Sequence, residues 1–178
     1  MYEHTDYPLR KHLVEAHEKV WENIAEPGPF WTGAERTSMV AESRAATSCH
    51  LCEARRQELS PYAIDGAHNS ETDLDDVIID MIHRIRSDPG RITRNMFDQV
   101  MNAGISPERY IEVVSVVNSS VIIDTLHAAL GLPLAALPSP KPGEPTGQPP
   151  ANVTDEGAWV PIAVGTVSYT HLTLPTKA

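Results

Sequence analysis

Cysteine is nearly absent: the chain has two in 178 residues. Both lie in one motif, Cys49-His50-Leu51-Cys52. A bridge between them closes too short a loop to staple a fold. Positive charge is also scarce. Fourteen Lys and Arg face 24 Asp and Glu, for a formal charge of −10 and a pI near 5.2. An acidic surface repels phosphate backbones, so nucleic acid is excluded as an expected partner. No unbroken apolar run approaches the roughly 20 residues of a membrane span. Met1 to Arg10 is polar and lacks the apolar stretch of a secretory signal. These absences predict a soluble cytoplasmic protein without a membrane partner, its thiols normally reduced. The eight histidines are scattered, with no HxxxH and no second CxxC. A structural zinc needs four ligands, so neither a metal nor any other cofactor is expected.

What is present is a dithiol. Sulfurs three positions apart share one helical turn. They can close a disulfide, or one thiolate can be attacked and the other resolve it. At a helix start, free N–H groups and the helix dipole favour the thiolate of the first cysteine. Three readings stay open: a redox-active pair, inert buried cysteines, or half of a metal site.

The pattern around the motif is helical. Leu13, Ala16, Val20 and Ile24 make an amphipathic stripe over Arg10 to Ala25, with Pro8 suited to the first turn and Glu26-Pro-Gly-Pro29 as the stop. Phe30 and Trp31 follow as core aromatics. Thr32-Gly-Ala-Glu35 reads as a capping box opening a helix to about Ser48. Glu35, Ser38, Glu42, Ala45 and Cys49 share one face of it. Glu53 to Leu59 reads as a third helix, and Thr72-Asp-Leu-Asp75 as the capping box of a fourth. Leu74, Val77, Ile78, Met81, Ile82 and Ile85 form that helix's buried stripe. Thr93 to Ala103 is a fifth. A sixth runs from Ser106-Pro107 to Leu130, where the cap, the length and the spacing of Ile111, Val114, Val117, Val121 and Thr125 favour helix over strand despite the β-branched run. The expected fold is all-α, a compact bundle of about six helices over residues 8–131. Residues 132–166 hold most of the later prolines and read as a linker or wrapping arm, with Gly157-Ala-Trp-Val160 apolar enough to dock. Residues 167–178 contain VSYTHLTLPT, which resembles a translated transposon-end sequencing adapter. The native C-terminus is then expected to be missing, and the segment is set aside from fold reasoning.

A helix leading from Ala34 to Ser48 into Cys49-His-Leu-Cys52, followed by the helical block Ile105 to Asn118, resembles the alkylhydroperoxidase D-like, or carboxymuconolactone decarboxylase, superfamily. The resemblance spans about Leu13 to Leu132. It implies a helical domain assembled into trimers or larger rings, a hydroperoxide substrate and an external dithiol reductant. The family pattern has Glu twelve residues before the first Cys and His four after the second. Here those positions are Thr37 and Arg56. Glu42 or Glu35 is the candidate replacement for the acid, and His50 or His83 for the imidazole. Arg56, one turn from Cys52, is the candidate for thiolate stabilisation. The family's order points to Cys52 as attacking thiol, whereas the helix dipole points to Cys49.

The leading expectation is therefore a thiol-dependent antioxidant oxidoreductase, peroxidase-like in chemistry. Two others stand beside it: a decarboxylase-type lyase that needs no cysteine, and a non-catalytic helical module. His83 also reads as an ordinary satisfied histidine on an amphipathic helix.

Overall fold

A computed structural model describes residues 1–3, 5–149, 153–154 and 159–163. The adapter-like segment 167–178 lies outside the described residues. Among the described residues, six α-helices make up the body: α1 (Lys11–Ala25), α2 (Gly33–Ala45), α3 (His50–Gln57), α4 (Asp76–Ser87), α5 (Arg94–Asn102) and α6 (Pro107–Ala129). The only pairing of strands among the described residues is antiparallel, Val153–Thr154 against Ile162–Ala163. The fold is all-α.

The caps explain most boundaries. Thr32 accepts from the Glu35 N–H, and Glu35 accepts from the Thr32 N–H at 2.8 Å, a complete capping box. Ser106 caps α6 with Pro107 at its first position. Gly104 and Gly131 follow α5 and α6 with φ of 94° and 67°, where a Cβ is strained. Pro8 lies ahead of α1 rather than in its first turn. Two other sequence expectations fail. The Thr72–Asp75 box does not form: Asp75 caps α4 without a side-chain bond. The Thr72 hydroxyl instead donates to Glu42, a buried carboxylate that needs donors more than an exposed helix end does. The third helix begins at His50, so Cys49 is its N-cap and Cys52 lies inside it.

α2 is the central element and packs on α1, α4 and α6. Met39 and Val40 from α2, Ile78 and Ile82 from α4, and Val113, Val117 and Ile123 from α6 are fully buried. Each such side chain contributes about 1.5–3 kcal/mol. The buried face of α6 runs through Val113, Val116, Val117, Ser120, Ile123, Asp124 and His127, with Val114 and Val121 partly buried against the core beside it. α6 is apolar on most sides, so spacing alone leaves its rotation open. It is also long and apolar enough, by length and composition, to cross a membrane. About 44% of that apolar stretch is buried within the bundle, as in a core helix.

Beyond α6 the chain wraps back along the bundle. Ala135 and Ala136 accept from Arg44 Nη1 and Trp21 Nε1, and the Lys141 and Gly147 N–H groups donate to Ala25 and Pro29 carbonyls. This polar stitching is what a proline-rich arm without an apolar stripe can offer. Trp159 rests against Phe97, with ring centroids 6.0 Å apart.

Candidate functional site

α2 ends in a 3₁₀ turn over Ala46–Ser48, and Cys49 is extended (φ −73°, ψ 122°) before α3 begins. This corner turns both sulfurs toward α4. Cys49 Sγ and Cys52 Sγ lie 3.8 Å apart and are not bonded. Both are buried, at 2% and 5% exposure. The N–H of His50 is held by Asn69 Oδ1 at 3.0 Å, which ties the start of α3 to the loop between α3 and α4.

Two histidines close around the sulfurs. His83 of α4 is fully buried, with Nδ1 3.2 Å from Cys52 Sγ. His68, from the loop, brings its Nδ1 to 3.5 Å from Cys49 Sγ and 3.6 Å from Cys52 Sγ. Each imidazole is backed by a carboxylate. His83 Nε2 is 2.7 Å from Glu42 Oε1, and His68 Nε2 is 3.0 Å from Asp80 Oδ1. Glu42, fully buried on α2, also accepts from Thr72 Oγ1 (2.7 Å), Ser70 Oγ (3.0 Å) and the Glu71 N–H (3.3 Å). Asp80 is paired with Arg55 (2.8 Å) and Arg84 (2.6 Å).

These contacts set the charges. Burial raises the Cys52 thiol, but hydrogen bonds with His68, His83 and Ser87 and the charge of His83 bring it down to about 5. Burial also raises Cys49, and the backbone N–H groups of Cys52 and Asn69 together with His68 outweigh it, so that thiol is lowered too. Burial pulls His68 down, yet its bonds to Asp80, Cys52 and Cys49 lift it to about 10. His83 is likewise raised against its burial by Cys52 and Glu42. Glu42 is held below the usual carboxylate range because four hydrogen bonds outweigh its desolvation. The result is a thiolate–imidazolium cluster with a carboxylate behind each ring.

Of the residues singled out in the sequence, Cys49, Cys52, Glu42 and His83 meet here. Glu35, His50 and Arg56 do not. Glu35 is committed to capping α2. His50 is exposed, while Leu51 and Cys52 of the same turn are buried. Arg56 is exposed and pairs with Glu53 rather than with a sulfur. His68 and Asp80 were missed. Asp80 lies one helical turn before His83, a signal that could have been used; His68 sits in a polar loop with no periodicity to mark it.

Among the described residues, the donor atoms of Cys49, Cys52, His68 and His83 lie within 4.8 Å of one another and could hold a metal ion. A cavity of about 260 Å³ opens beside His68, Ser70 and Asp80, but neither cysteine lines it. A scan against family models, a search of curated proteins and a search of solved structures each find no match to this chain, and none links it to the superfamily it resembles.

Proposed function

We propose that this protein is a thiol-dependent oxidoreductase that reduces a small hydroperoxide with the Cys49–Cys52 dithiol. The observation that carries this reading is the continuous buried relay from Cys52 through His83 to Glu42, with the second sulfur 3.8 Å away. The Cys52 thiolate attacks one oxygen of the O–O bond, which breaks. Cys52 becomes a sulfenic acid, and the alkoxide leaving group takes the Nδ1 proton of the His83 imidazolium to depart as the alcohol. Glu42 stabilises that imidazolium and fixes its ring, a positioning role. Cys49 then attacks the Cys52 sulfur. An S–S bond forms and water leaves, carrying the hydroxyl of the sulfenic acid and the Cys49 proton. An external dithiol carrier returns two electrons and two protons and becomes a disulfide. Because both sulfurs are buried, the loop carrying His68 must move to admit the peroxide.

Burial of both sulfurs favours a second reading, a non-catalytic helical module whose cluster is structural. The deciding experiment counts thiols in reduced, chelator-treated protein before and after one equivalent of hydroperoxide. Two thiols should be lost together and regained with a dithiol. Cys49→Ser should stop at a trappable sulfenic acid, and Cys52→Ser should not react. Survival of both thiols in the wild type would leave only the structural reading.

A further inference from the structure

We propose that Cys49, Cys52, His68 and His83 form a closed tetrahedral site for one zinc-like divalent metal ion. The fold supplies the second ligand pair that the sequence lacks locally, one histidine from a loop and one from α4. Zinc bonds of about 2.3 Å to sulfur and 2.0–2.1 Å to nitrogen, at tetrahedral angles, require edges of about 3.8 Å between sulfurs and about 3.6 Å between sulfur and nitrogen. The observed sulfur–sulfur distance is 3.8 Å, and His68 Nδ1 stands 3.5 and 3.6 Å from the two sulfurs. The Cys52–His83 edge is shorter, at 3.2 Å. The near-equal placement of His68 Nδ1 against both sulfurs is notable, because a single hydrogen bond would favour one of them. A shared central ion makes both edges equivalent.

The surroundings fit the same role. Asp80 and Glu42 each engage the outer nitrogen of one imidazole, which turns Nδ1 of both rings toward the sulfurs. A carboxylate behind a ligating histidine fixes its tautomer and raises its basicity. Two thiolates neutralise a divalent ion, and two imidazoles complete four-coordination with borderline-soft donors suited to zinc. All four ligands come from protein, so no position is left for a substrate. The site is of the structural kind, joining the corner between α2 and α3, the following loop and α4 into one unit. The proposal does not rest on the redox reading and competes with it for the same sulfurs.

The test uses the full chain, reduced and stripped with a chelator under anaerobic conditions. Zn²⁺ titrated against a chromophoric chelator should bind at one ion per chain and raise the melting temperature. Co²⁺ in its place should give the intense visible bands of a tetrahedral ion and a thiolate charge-transfer band in the near ultraviolet. Asp80→Asn, which removes the carboxylate behind His68 together with its ion pairs to Arg55 and Arg84, should weaken Zn²⁺ binding about 10–100-fold, and His68→Gln should weaken it further. His50→Ala, within the motif but exposed, should leave affinity unchanged. Absence of stoichiometric Zn²⁺ uptake by the wild type would overturn the site, as would an octahedral Co²⁺ spectrum. So would affinity that His68→Gln leaves intact. The cobalt spectrum of the wild type decides the matter even if a cysteine variant fails to fold. Peroxide-driven thiol loss is measured on metal-free protein, so either reading can fail without the other.

Discussion

Replacing Glu42 by Gln changes the centre with almost no change of shape. The carboxylate is fully buried and accepts four hydrogen bonds, two of them at 2.7 Å. The amide keeps one acceptor oxygen. If that oxygen stays toward Ser70, Glu71 and Thr72, the NH₂ group faces His83 Nε2, and the imidazole must carry its proton on the side of Cys52. One charge-assisted bond is then lost and three become neutral, each at roughly half its former strength. Relief from burying a charge offsets part of this, leaving a net cost on the order of 2–3 kcal/mol. At about 2–4 °C per kcal/mol for a chain of this size, the melting temperature should fall by roughly 5–10 °C. The folded pKa of Glu42 lies below its ordinary 4.5, so its stabilisation is complete above that value and fades as pH falls through the folded pKa. The gap between wild type and Glu42→Gln should therefore narrow in acid. Thermal unfolding followed by circular dichroism, with reductant and chelator present, measures both effects from pH 7 to pH 3. Equal melting temperatures at neutral pH would refute the claim that Glu42 is ionised and fully engaged.

Two further predictions concern the scaffold. Gly33→Ala would put a Cβ 2.0 Å from the Ala25 carbonyl oxygen and 3.0 Å from that of Lys141. Backbone must shift, so a loss of about 1–3 kcal/mol is expected in urea unfolding, and an unchanged midpoint would contradict this packing of α1, α2 and the arm. His17 Nδ1 accepts from the Tyr2 hydroxyl at 2.6 Å, and burial, then the charge of His127, lowers its pKa below 6.5. Its contribution is present above pH 6.5 and lost as pH falls through the lower folded value, so His17→Gln should flatten the decline in stability between pH 7.5 and 5.5. Parallel slopes in the two proteins would remove His17 as a cause.

How much was legible before folding depends on where the information sits. Caps and breakers are local. Thr32 with Glu35, Ser106 with Pro107, and the glycines at 104 and 131 announce helix ends because the bonds they make or permit span three or four residues. The stripe Ile78, Met81, Ile82, Ile85 likewise marks the inner face of α4, and all four are buried. The same local logic failed at Thr72, whose hydroxyl serves a carboxylate 30 residues away. For α6 it gave the helix and its ends, while apolar residues on most sides leave the rotation to be chosen by three packing partners.

That the chain is helical, that its two thiols lie in one motif, and where most helices start and stop can all be read along the chain. Each follows from interactions within a few residues. Which groups surround the two thiols is set by packing between distant elements. Glu42 stands 41 residues from His83, and His68 is 16 from Cys52. No periodicity connects such positions. They meet because α2 and α4 bury their apolar faces against each other and against α6. That packing carries the loop between α3 and α4 over the sulfurs, where two imidazoles meet the buried carboxylate of Glu42 and the partly exposed one of Asp80.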